Sequence, residues 1–124
     1  MPILREKVMT LLDGSNDVLS VVAKRYYSMR APQGTIAPYI TIEMPTLVIS
    51  GHLRGITKLE NGIIRFHFFG LNYLQLDTLR NTIIQLMTGT STFQAIFTFG
   101  TELYEDDTRY FHLIADFSVW HDRS

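Results

Sequence analysis

The sequence contains no cysteine, which removes disulfides, thiol nucleophiles and thiolate metal ligands together and fits a reducing compartment. Neither sign of charge is in excess: 11 basic and 12 acidic residues leave a formal net charge of −1, whereas a dedicated nucleic-acid reader concentrates a strong basic surplus on one face. A long apolar run is also missing. The first twelve residues, MPILREKVMTLL, place three charges among their apolar positions. They form neither an unbroken signal-peptide core nor a span of about twenty apolar residues, so export and membrane anchoring are not expected.

The motifs of common chemistries are missing too. Ser50, between Ile49 and Gly51, lacks the glycine two positions earlier that a nucleophile elbow needs. Gly51 and Gly55 are not followed by the Lys-Ser/Thr pair of a phosphate loop. His52, His67, His112 and His121 include no pair at the i, i+4 spacing by which one helix face grips a metal. Glu102, Glu105, Asp106 and Asp107 cluster at an expected hairpin tip, where they read as a solvated turn rather than as a buried and solvated acid/base pair. No catalytic, metal or cofactor site is expected.

Hydrophobic residues make up 46% and charged residues 19% of 124 positions, too apolar for disorder and long enough to bury a core as one domain spanning 1–124. Pro2 suits a first helical turn, and Leu4, Val8 and Leu11 repeat along one helical stripe. Asp13-Gly14 ends it, and Ser15 or Asn16 caps a second short helix carrying Val18, Leu19, Val21 and Val22. Tyr26 and Tyr27 begin a short strand that leads into an ordered loop, where Pro32 extends Ala31 and Gly34 allows a turn.

After Pro38, Tyr39–Met44 alternates as a half-buried strand, with Ile40, Ile42 and Met44 on one face and Tyr39, Thr41 and Glu43 on the other. Pro45 interrupts it, and Leu47–Ile49 can resume pairing. His52–Glu60 reads as a polar loop closed by a turn at Asn61-Gly62. Ile63–Phe69 follows as a strand, with Ile64, Phe66 and Phe68 opposite Ile63, Arg65, His67 and Phe69.

A helix capped by Asn72 carries Leu76, Leu79, Ile83 and Leu86, with Gly89 as a left-handed C-terminal cap. Phe93–Leu103 and Arg109–His121 form a closing hairpin around the acidic turn 104–108. The whole predicts an α+β fold: a mixed or antiparallel sheet of about four to five strands with two to three helices on one face. Phe66, Phe68, Phe97, Phe99, Phe111 and Phe117 are expected in the core. His67 and His112 are expected to meet across neighbouring strands as hydrogen-bonded sheet histidines. Several strands are apolar on both sides, more surface than a domain this small covers alone, which points to burial by another subunit.

The stretch Arg30-Ala31-Pro32-Gln33-Gly34, the following Pro38-Tyr39-Ile40 and the closing Asp116-Phe117-Ser118-Val119-Trp120-His121 resemble the tail completion (tail terminator, head-tail joining) proteins of long-tailed bacteriophages. The resemblance implies a virion structural protein without catalysis or cofactor. It would form a hexameric ring on the head-proximal end of the tail tube, stop tube growth and join the tail to the head connector. Its partners would be its own copies, the tail tube protein and the connector, with DNA only passing through the lumen and no membrane. It would assemble in the host cytoplasm and reside in the virion tail or neck. Arg30, Pro32, Gln33, Pro38 and Tyr39 are the matching positions. His52, Arg54, Lys58, Glu60, Glu102, Glu105, Asp106, Asp107 and Arg109 join the interface candidates because polar loops commonly carry contacts. The alternatives are another neck or minor structural component, or a small-molecule-binding domain with a pocket around His67, His112 and tyrosines.

Overall fold

The computed structural model describes residues 4–23, 25–49, 59–91, 93–106 and 109–122. In chain order these form α1 (Leu4–Asp13), α2 (Asn16–Val22), β1 (Tyr26–Ser28), β2 (Tyr39–Ile49), β3 (Leu59–Gly70), α3 (Tyr73–Gly89), β4 (Gln94–Glu105) and β5 (Tyr110–Asp122). The strands make one five-stranded sheet in the order β1-β2-β3-β5-β4. β1 runs parallel to β2, and the remaining neighbours are antiparallel. This is the expected α+β architecture.

The alternation along β2, β3 and β5 dictates where the helices sit. Ile40, Ile42, Ile64, Phe66, Phe68, Leu113, Ala115, Phe117 and Val119 are buried on one face, and that face receives the helices. α3 supplies Leu76, Leu79, Ile83 and Met87, α1 supplies Val8 and Leu12, and α2 supplies Val18 and Val22. Burying each such side chain stabilises the fold by about 1.5–3 kcal/mol before conformational entropy is subtracted. Gly70 ends β3 because α3 crosses there: a Cβ at this position would lie 3.0 Å from Leu76 Cδ2.

Local capping follows the sequence. Ser15 Oγ accepts from the Val18 amide and Asn72 Oδ1 from the Gln75 amide, each satisfying an amide that the first helical turn leaves without a partner. The connection from β1 to β2 is a loop rather than a helix, because β1 is three residues long and the chain has to travel back only roughly 10 Å. Within it the Thr35 amide donates to Pro32 O, with Gly34 at φ 84°, the positive angle that a type II turn needs at its third residue.

Four expectations are corrected. Asn61-Gly62 is not a turn but the interior of β3, where Asn61 pairs with Val48 and Trp120. Its amide donates to Ser118 Oγ at 3.1 Å and Val119 O at 3.0 Å, so cross-strand bonds replace those that would close a turn. Glu60 accordingly lies in β3, its backbone paired to Ile49 and His121, not in a loop. Gly89 is the last residue of α3 and the cap is an extended Thr90, while Thr88 Oγ1 donates to Ile84 O near the end of the helix. Phe97 and Phe99 are exposed rather than core, because β4 is the sheet's edge and its register shifts between these two residues. Pairing of β2 does resume beyond Pro45, after a register shift between Glu43 and Thr46.

Candidate functional site

The face of the sheet turned away from the helices carries the unusual chemistry. Arg65 on β3 donates from Nε to Asp116 Oδ1 at 2.8 Å and from Nη2 to Asp116 Oδ2 at 3.0 Å. This fork-to-fork geometry is the strongest form of ion pair. Arg65 Nη1 also reaches Glu43 Oε1 at 3.4 Å. Glu43 Oε1 accepts from His67 Nε2 at 2.7 Å, and His67 Nδ1 lies 2.8 Å from His112 Nε2.

The carboxylate beside His67 Nε2 calls for a proton there, and the direction of the His67–His112 bond follows the tautomers of the two rings. His112 Nδ1 is buried without a hydrogen-bond partner, and Glu105 Oε2 stands 3.7 Å away. One polar chain therefore crosses four strands, from Asp116 through Arg65, Glu43, His67 and His112 toward Glu105.

Aromatic rings dry this chain on one side. Phe69 stacks on His112 with centroids 4.2 Å apart and Tyr39 stacks on Phe69 at 4.9 Å. Burial, followed by the neighbouring His67, holds the His112 pKa below its ordinary value, with Glu105 opposing. The hydrogen bond from His67, helped by Arg65, holds Glu43 below the ordinary carboxylate value against partial burial. Tyr39 is pushed up by burial and by Tyr110 and Glu105.

Beside the aromatic stack the β1–β2 loop overhangs the sheet and encloses an open cavity of about 530 Å3 lined by residues 29–35, Tyr39, Thr41, Phe69 and Tyr110. The candidates Arg30, Pro32, Gln33 and Tyr39 are therefore brought together. Glu105 sits on the same face, but Glu102 points to the helix side, where it accepts from Arg80 Nη2 at 2.8 Å and Tyr73 Oη at 2.7 Å. These bonds hold its pKa down and clamp α3 to β4. Asp106 and Arg109 flank the β4–β5 tip and are exposed, Arg109 at φ 61°. His52, Arg54, Lys58 and Asp107 lie outside the described residues, as does the side chain of Glu60.

The expected meeting of His67 and His112 is present. Sequence reasoning did not find that Glu43, Arg65 and Asp116 belong with them. The signal was available, since alternation had already put Glu43 on one strand face and Arg65 with His67 on another, and only the pairing of those strands was missing. Among the described residues no cluster of three or more His, Asp or Glu side chains is arranged to hold a metal ion. No described helix is long and apolar enough to cross a membrane.

The fold thus defined is a five-stranded mixed sheet with three helices on one face and a polar, aromatic-flanked array on the other. No family model and no curated protein matches the sequence. Among solved structures the chain is similar to one from the virion of a native gene transfer agent (GTA) particle, with a TM-score of 0.69 and 11% sequence identity. The similarity covers 93% of this chain and 91% of that one. At that identity the likeness is one of fold.

Proposed function

We propose that this chain is a single-domain structural protein of a phage-like virion, the subunit of a ring that caps the head-proximal end of a tail tube, ends tube growth and joins the tail to the head connector. The observation that carries the reading is the fold likeness to a virion chain, which extends over nearly all of both chains. The tail-completion resemblance of Arg30–Gly34, Pro38–Ile40 and Asp116–His121 narrows it. So does an apolar edge strand that a lone subunit leaves uncovered. The role requires shape and surface, with no cofactor and no reaction. Its partners are further copies of itself, the tube protein and the connector, met in the host cytoplasm and retained in the virion neck.

Electron microscopy of the purified protein mixed with its tail tubes tests the reading. Rings at one tube end are expected. Particles lacking the protein should carry tubes of uncontrolled length without heads. Normal tails joined to heads in its absence would end the proposal, and density on the capsid side alone would make it a different neck component.

A further inference from the structure

We infer that the cavity under the β1–β2 loop receives the C-terminal carboxylate of another polypeptide chain, one whose last residue is aromatic or aliphatic. The inference goes beyond the ring reading and does not depend on it.

The cavity is an enclosed space rather than a flat patch. Its volume of about 530 Å3 lies within the range of ligand sites, roughly 300–1,000 Å3. Residues 29–35 arch over the open face of β2, so that Thr41 is only 6% exposed although the helices lie on the other side of the sheet. The floor is aromatic: Tyr39 stacks on Phe69 with centroids 4.9 Å apart, and Tyr110 stands edge-on to Tyr39 at 6.3 Å. Rings so arranged offer both faces and edges to an apolar side chain.

Charge selects the group that accompanies that side chain. Arg30 is the one charged residue in the lining, and among the described residues nothing pairs with its guanidinium. The acids of the open face are turned elsewhere: Glu43 to Arg65 and His67, Asp116 to Arg65, and Glu105 toward His112. None of the three lines the cavity. Glu105 is felt at Tyr39 from outside the lining, but its side chain is 41% exposed and water screens it. Burial, followed by Tyr110 and Glu105, pushes the Tyr39 pKa up, so the phenol keeps its proton at neutral pH and can donate to an anion.

The loop backbone adds donors. The amides of Met29, Arg30 and Thr35 donate to Ile42 O, Ser28 O and Pro32 O, whereas those of Gln33 and Gly34 donate to no described residue. Backbone amides grouped in a turn, beside a guanidinium that can grip a carboxylate with two parallel bonds, suit a chain terminus. The rim favours a terminus over a small free acid. Met29 is 62% exposed and Ile36, on the same loop, 73%, an apolar margin that the residues preceding the terminus would cover.

Amide NMR titration tests the site with three probes: acetyl-Ala-Ala-Phe bearing a free carboxylate, the same peptide amidated, and N-acetylphenylalanine. The acid peptide is expected to shift residues 30–35, Tyr39 and Tyr110, and to bind about tenfold more tightly than the amide. Arg30→Gln should abolish that preference. Tyr39→Phe, which keeps the stacked ring and loses the hydroxyl, should weaken the acid peptide roughly threefold to tenfold. Equal affinity for acid and amide in the unmodified protein would overturn the inference, and this comparison needs no variant. A preference that survives Arg30→Gln, shifts centred elsewhere, or no binding at millimolar peptide would overturn it too. N-acetylphenylalanine binding as tightly as the acid peptide would refute a polypeptide terminus as the occupant. Dispersed amide spectra check that both variants are folded.

Discussion

Leu74 and Leu79 share one helix and one chemistry, and they separate the role of α3 cleanly. Leu79 is 1% exposed against the sheet and Leu74 is 73% exposed. Leu79→Ala removes three buried carbons, a transfer loss of about 2.4 kcal/mol at roughly 0.8 kcal/mol each. A cavity contribution brings the expected loss to about 3 kcal/mol, inside the range of about 2–5 kcal/mol for buried leucines. For 124 residues the unfolding entropy is roughly 260 cal/mol/K, so the melting temperature should fall by about 12 °C. Leu74→Ala should move it by no more than about 2 °C, as surface changes usually stay within about 0.5 kcal/mol. Calorimetry supplies both values, and urea titration checks that the denaturant slope is unchanged. A fall below about 3 °C for Leu79→Ala, or equal falls for the two variants, would refute the register assigned to this helix.

Asp116→Ala strips Arg65 of its bidentate partner on a partly covered surface and should cost about 1–2 kcal/mol by urea unfolding, with a smaller loss when Arg65→Met is already present. Equal losses in both backgrounds would mean that the pair is not coupled. In the folded state the pKa of His112 lies below its ordinary value of 6.5, so as pH falls the unfolded chain takes up the proton first. The stability this contributes is present above 6.5 and is lost as pH falls through the folded value. Glu43, also lowered, contributes in the same direction below its ordinary 4.5. Urea midpoints should therefore fall from neutral toward acid pH, less steeply in His112→Gln, and the ring resonances of His112 should titrate below 6.5. An upward-shifted titration would mean that Glu105, not burial, governs this ring.

Much of this architecture was legible from the chain, and the exceptions share a cause. Period-two alternation found the core faces of β2 and β3, and period-three-to-four repetition found α3, because in both cases the buried face alone determines the pattern. Asn61-Gly62 misled because its turn propensity is local, whereas the amide of Asn61 is satisfied by β5, more than fifty residues away. Phe97 and Phe99 misled because an aromatic on an edge strand carries the same letter as one in the core. The Asp116–Arg65–Glu43–His67–His112 chain needs the strand order, which no single segment encodes. Glu102 was visible as an acid near a tip, but its engagement with Arg80 and Tyr73 depends on where α3 crosses β4.

The polar chain on the open face also guards against misfolding. Slipping β3 by a single residue against β5 would exchange the surroundings of all its side chains, driving the guanidinium of Arg65 and the imidazole of His67 into hydrocarbon while Phe66 and Phe68 emerged into water. Each charge left without its counter-ion in that setting would cost several kcal/mol. The alternative alignments of the longest strand pairs are thus penalised from both sides at once, and the sheet has one alignment available to it.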